Sequence, residues 1–190
     1  MILSPGFSLL VLSCRADNDE SIADEARRLI QEDGIDWDKL YALADRLSVR
    51  PQMAGLLASL PEGLVPGSFR ERIDKAYLDT VHDQVTYAAE YLKVYSLLSA
   101  AGIPAVPFKG FWLAEKYYGN LALRESDDID ILVRFEDQLR IRRVMPETGY
   151  LVGAPYLKEI DKRGCEFNYG LYSGGRCISH LEFHWRMAPS

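Results

Sequence analysis

The sequence predicts an α+β fold, with a helical N-terminal region followed by a small sheet flanked by helices. Three observations predict it. Apolar residues recur at helical spacing through roughly the first hundred positions. At Gly102 the pattern changes to short β-branched runs broken by glycine and proline. Near the C-terminus, apolar and polar residues alternate strictly, the period of a half-buried strand.

The first element is the apolar run Phe7 to Leu12, followed by Ser13-Cys14. A lipoprotein signal would need a basic residue ahead of it and a longer, uninterrupted core. Neither is present and Pro5-Gly6 breaks the run, so it reads as the first helix of the fold. Ile22, Ala26, Leu29 and Ile30 form the next stripe, ended by Gly34. Trp37, Leu40, Tyr41, Ala44 and Leu47 form another, which must stop before Pro51. Met53 to Leu60 reads as a short helix closed by Pro61, and Gly63, Pro66 and Gly67 as a loop. A long amphipathic helix follows from about Phe69 to Ala101. Its stripe contains Tyr77, Gln84, Tyr87 and Tyr91, and its aromatic residues read as packing.

Ile103 to Phe108 reads as a short strand containing Pro104 and Pro107, which makes it either irregular or an edge strand. Lys109-Gly110 leads into a helix from Phe111 to Tyr118 that stops at Gly119-Asn120. A connector carrying Arg124 runs into the strand Ile129 to Val133, and Glu136 to Met145 reads as a helix. Glu166 to Tyr172 and Cys177 to Trp185 read as strands around a Ser173-Gly174-Gly175 turn. Residues 1–67 therefore read as a helical N-terminal region. Residues 68–190 read as a core introduced by the long helix.

The 190 residues carry a net charge of −6, which argues against a general grip on nucleic acid backbone. No apolar stretch is long enough to span a membrane. Cys14, Cys165 and Cys177 are an odd number without metal-finger spacing. They read as thiols in a reducing compartment, and the chain as cytoplasmic.

The chemistry concentrates in Asp127-Asp128-Ile129-Asp130-Ile131-Leu132-Val133. On a strand, Asp128 and Asp130 share one face while Ile129, Ile131 and Val133 take the other, and Asp127 lies outside the site. Two carboxylates held side by side repel each other and suffer desolvation, and a divalent cation relieves both problems. The plain alternative is a strand edge whose acids face water. On the last strand His180, Glu182 and His184 share a face. If that strand neighbours the first, Glu182 becomes the third carboxylate of a site for one or two Mg²⁺ ions, with Mn²⁺ as a substitute. Glu182 would serve as the base that takes the acceptor proton, or as the ligand of the metal that does so. Lys109 and Gly110, ahead of a helix N-terminus, suit phosphate binding. Arg124 suits either a triphosphate or an ion pair with Asp128 or Glu125. His180 and His184 could supply nitrogen ligands to Zn²⁺, but His184 reads first as a hydrogen-bond partner that orients Glu182.

These ordered motifs resemble the nucleotidyltransferase superfamily with the DNA polymerase β-like fold. They are most similar to an uncharacterised bacterial branch with a helical N-terminal region. The matching residues are Lys109-Gly110, Tyr118, Arg124, Asp128-Ile129-Asp130, Gly149-Tyr150 and Glu182-Phe183-His184-Trp185. The resemblance implies a small mixed β-sheet core flanked by helices. It implies NTP as substrate, catalytic carboxylates at Asp128, Asp130 and Glu182, and an acceptor hydroxyl that the sequence does not name. Phe111 departs from the family's second small residue after the glycine. Relatives continue beyond the third acidic strand, so the chain reads as a fragment or as a member without that region. The competing expectation is a non-catalytic module on the same fold, for nucleotide sensing or partner binding, including an antitoxin-like role with a protein partner.

Overall fold

The computed structural model describes residues 4–15, 20–32, 34–152 and 165–186. Among them are seven α-helices and one five-stranded sheet, the α+β class that the patterning predicts. The chain divides into two compact units. One comprises residues 1–83 with 114–125, and the other residues 84–113 with 126–190.

The first unit is helical. The apolar N-terminal run forms α1 (Pro5–Ser13), whose Ser4 hydroxyl accepts a hydrogen bond from the Phe7 N–H at 3.3 Å. Leu9, Leu10 and Leu12 of α1 are buried, as are Ile22, Ala23 and Ala26 of α2 (Glu20–Gln31). Helix α3 (Trp37–Arg46) begins at Asp36, whose carboxylate accepts from the Lys39 N–H at 3.0 Å. Helix α4 (Arg50–Ala58) starts three residues earlier than the sequence predicts. Pro51 sits in its first turn, where a missing N–H costs nothing, while α3 has already ended at Arg46 with Ser48 at φ +54°. These helices and the start of α5 (Gly67–Ala100) share a core that includes Met53, Leu56, Leu57, Phe69 and Ile73. Arg50 forks onto Glu125 through Nε at 2.8 Å and Nη2 at 2.9 Å, and Asn120 donates to the Tyr77 hydroxyl at 3.1 Å. Those bonds hold the connector before the acidic strand against the helices of this unit.

The second unit carries the sheet, in the order β1-β2-β5-β4-β3. Strand β1 (Ala105–Pro107) pairs with β2 (Ile129–Val133) alone, so Pro107 lies in an edge strand, while Pro104 falls just before it. Strands β2 and β5 (Arg176–His184) run parallel, and the other pairs are antiparallel, which makes the sheet mixed. Strand β4 (Glu166–Ser173) joins β5 through Gly174 and Gly175, at φ +56° and +79°. Two consecutive positive φ angles give a tight turn matched to strand twist, and glycine adopts them without strain. Strand β3 (Leu151–Val152) is too short to leave a readable alternation in sequence.

Helix α6 (Gly110–Tyr118) follows β1. The helix expected over 136–145 is divided. A 3-10 turn at Phe135–Asp137 leads into α7 (Gln138–Val144), and Pro146 converts the end to a second 3-10 turn at Met145–Thr148. Arg140 of α7 donates to the Ala101 and Gly102 carbonyls just past the C-terminus of α5. One sheet face is apolar. Ile129, Ile131, Leu181, Phe183, Phe167 and Tyr169 are all buried on it, and Phe167 stacks on Phe183 and Trp185. Because strand side chains alternate, burying this face aims every acid to the other.

Candidate active site

The parallel pairing of β2 with β5 builds the site. Asp130 lies directly beside Glu182 in register, and Ile131 beside Phe183. Asp128 stands just before β2 on the same face, while His180 and His184 flank Glu182 on β5. Ligand atoms of Asp128, His180 and Glu182 all lie within 4.8 Å of one another, and so do those of Asp130, Glu182 and His184.

Asp130 is the most enclosed acid, its side chain only 2% exposed. Lys109 Nζ donates to its Oδ1 at 2.8 Å, and His184 Nε2 lies 2.9 Å from the same oxygen. Burial alone would raise the carboxyl pKa, but these two hydrogen bonds and the Lys109 charge bring it below the ordinary value. Asp128 goes the other way. Desolvation, then repulsion from Asp130, raises its pKa. Glu182 is raised as well, by desolvation and then by Glu166 and Asp128. The site thus holds one well-compensated carboxylate and two that resist ionisation.

His184 is buried and fully engaged. Its Nε2 also lies 3.1 Å from Glu182 Oε2, its Nδ1 lies 3.3 Å from Glu166, and the Phe108 ring meets it edge-on at 5.1 Å. His184 and Glu182 are thus within hydrogen-bond distance. Lys109 ends the segment after β1. Burial disfavours its charge, yet the Asp130 hydrogen bond and charge leave its pKa raised.

Gly110 opens α6 at φ +50°. A Cβ there would stand 3.3 Å from Ser126 Oγ and 3.5 Å from the Asp128 carbonyl oxygen, so the residue must be small where it abuts the lead into β2. Gln84 of α5 holds that lead from behind. Its Nε2 donates to the Ser126 carbonyl at 3.1 Å, and its Oε1 accepts from Ser126 Oγ at 2.9 Å. Phe111 is buried and tilts against Tyr91 with ring centroids 5.6 Å apart, so it packs as core. Trp185 likewise packs, against Phe167 and Phe135.

Asp127 is exposed and outside the cluster, as expected. Arg124 belongs to the first unit, where it is half-buried and its Nη1 has no hydrogen-bond partner among the described residues. Glu125, its suggested partner, is taken by Arg50. Sequence reading passed over Gln84, Glu166 and Asn168. Gln84 looked like one more member of the helical stripe. Glu166 and Asn168 face the acids only because β4 places them opposite His184 and Glu182. Their alternation with Phe167 and Tyr169 was a signal, but one that needs the strand order to interpret. Asn168 Oδ1 is buried without a hydrogen-bond partner among the described residues.

The donor set suits a divalent cation. Oxygen ligands converge from two adjacent strands, and at two of the three carboxylates burial and neighbouring acids disfavour the charged form, a cost that a cation would relieve. The mixed sheet gathers three acids on one face, next to a lysine and a helix N-terminus. A family model described as uncharacterised nucleotidyltransferase matches residues 33–190, so the chain belongs to that family. No match was found among curated proteins. Among the described residues, no helix is long and apolar enough to cross a membrane.

Proposed function

We propose that the protein transfers a nucleoside monophosphate from an NTP to a hydroxyl acceptor, using Mg²⁺ or Mn²⁺. The observation that carries this reading is the side-by-side register of Asp130 and Glu182 on parallel strands, with Asp128 on the same face. Asp128, Asp130 and Glu182 would hold the metal. When bound, it would supply charge neutralisation for the triphosphate and acidify the acceptor hydroxyl. The chain's own residues do the rest. Lys109 and the α6 N–H groups behind Gly110 bind phosphate oxygens. Glu182, oriented by His184, takes the proton as the acceptor oxygen bonds to the α-phosphorus. The bond from the α-phosphorus to the β-phosphate bridging oxygen breaks, and pyrophosphate leaves.

Isothermal titration of the protein with NTP in Mg²⁺ tests the reading. Binding should require the metal and should vanish in Asp128→Asn combined with Asp130→Asn, with the circular dichroism spectrum unchanged. NTP binding that ignores Mg²⁺, or survives the double substitution, would overturn it. Nucleotide binding with no pyrophosphate release across a panel of hydroxyl acceptors would favour the sensing module.

A further inference from the structure

The two histidines of β5 occupy different chemical situations. His184 is spent: its ring nitrogens already face Asp130, Glu182 and Glu166, and its side chain is 6% exposed. His180 is not. Its side chain is 40% exposed, and Nδ1 stands 3.8 Å from Glu182 Oε1, beyond a normal hydrogen bond. The acids divide in parallel. Lys109 and His184 both engage Asp130, whereas Asp128 has no ion-pair partner among the described residues. Two close cationic or hydrogen-bonding partners therefore sit on Asp130, whereas at Asp128 Lys109 and His180 act only from a distance.

We propose that Asp128, His180 and Glu182 form a mixed nitrogen–oxygen site that selects a first-row transition dication such as Mn²⁺ or Zn²⁺ over Mg²⁺. The proposal rests on the metal-dependent reading above and names the ion that reading leaves open. Three donor atoms within 4.8 Å of one another need modest contraction. Cis ligands of an octahedral ion with bonds of about 2.1 Å lie roughly 3 Å apart. The rotamers of an exposed imidazole and two half-buried carboxylates can supply that movement. An imidazole donor discriminates between ions, because Mg²⁺ prefers oxygen ligands and retained water, while Mn²⁺ and Zn²⁺ accept nitrogen. A site of carboxylates alone would have no such preference built in.

Pulsed electron paramagnetic resonance of Mn²⁺ bound to the full chain tests this directly. The expected spectrum carries ¹⁴N modulation from a coordinated imidazole, which disappears in His180→Gln. In competition titrations, His180→Gln should lower the preference for Mn²⁺ over Mg²⁺ by about tenfold or more. His180→Asn serves as a second variant, with thermal melting as the check on folding. Mn²⁺ that binds without ¹⁴N modulation, yet is lost in Asp130→Asn, would leave the carboxylate metal site standing and overturn the role of His180. Modulation that persists in both His180 variants would assign the nitrogen to His184 and overturn it equally. Mn²⁺ binding unaffected by Asp128→Asn and Asp130→Asn would overturn the metal-site reading itself.

Discussion

Lys109 is the residue on which binding of metal and nucleotide would meet. Its ammonium sits 2.8 Å from Asp130 Oδ1 and compensates the acid that a dication would share. An ammonium and a dication repel each other, and within a half-buried site water screens that repulsion only partly. Metal alone must therefore displace Lys109 or tolerate it. A triphosphate offers the ammonium a new partner, so metal and nucleotide should bind cooperatively. Lys109→Met should raise the affinity for Mn²⁺ alone by about tenfold at neutral pH. The same variant should weaken binding of the Mn²⁺–NTP pair, because the phosphates lose a point charge. Both constants come from calorimetry with and without nucleotide. Unchanged Mn²⁺ affinity in Lys109→Met would show that the ion pair does not oppose the metal.

At the scale of elements, the site depends on a clamp between α5 and the lead into β2, made by residues outside the acid cluster. Gln84 is almost fully buried on α5 and makes two hydrogen bonds to Ser126, two residues before Asp128. Gln84→Ala leaves the Ser126 carbonyl and hydroxyl without those partners, and removing one side of a buried pair costs more than the bond was worth. The expected loss is about 2 kcal/mol, or about 4–8 °C in melting temperature for a chain of this size. Metal affinity should fall as well, because the lead into β2 loses its backing. A melt within a degree of the parent protein would show that the clamp carries no stability. This clamp also marks where sequence reading ran out. Asp128, Asp130, Glu182 and Lys109 were legible because alternation and a turn signal are local. The edge strand β1 and the limits of α5 were legible for the same reason. Gln84, Glu166 and Asn168 were not, since each matters only through a partner distant in sequence. The two-residue strand β3 and the division of the helix after β2 lay below the resolution of any periodicity.

At the scale of the whole molecule, the candidate site sets how stability responds to pH and metal. Asp128 and Glu182 have raised pKa values when folded, so the folded chain binds those protons more tightly than the unfolded chain does. Their contribution to stability is complete below the unfolded carboxyl values of roughly 4 and is lost as pH rises through the higher folded ones. Asp130 has the opposite sign. Its lowered pKa contributes stability above the unfolded value, lost as pH falls through the folded one. The raised values mean that ionising Asp128 and Glu182 costs more in the folded metal-free chain than in the unfolded one, and a bound dication would offset that cost while adding its own binding free energy. At about a hundredfold excess over the dissociation constant, that binding is worth about 2.7 kcal/mol. The rise in melting temperature on adding Mn²⁺ should therefore be largest near pH 7. It should shrink as pH falls through the raised values of Asp128 and Glu182, because protons then compete for the same oxygens. Differential scanning fluorimetry at constant ionic strength measures both arms. In Asp128→Asn the Mn²⁺ increment should be lost at every pH. An increment that is flat from pH 7 down to about 4 would mean that the stabilising ion binds somewhere other than these carboxylates.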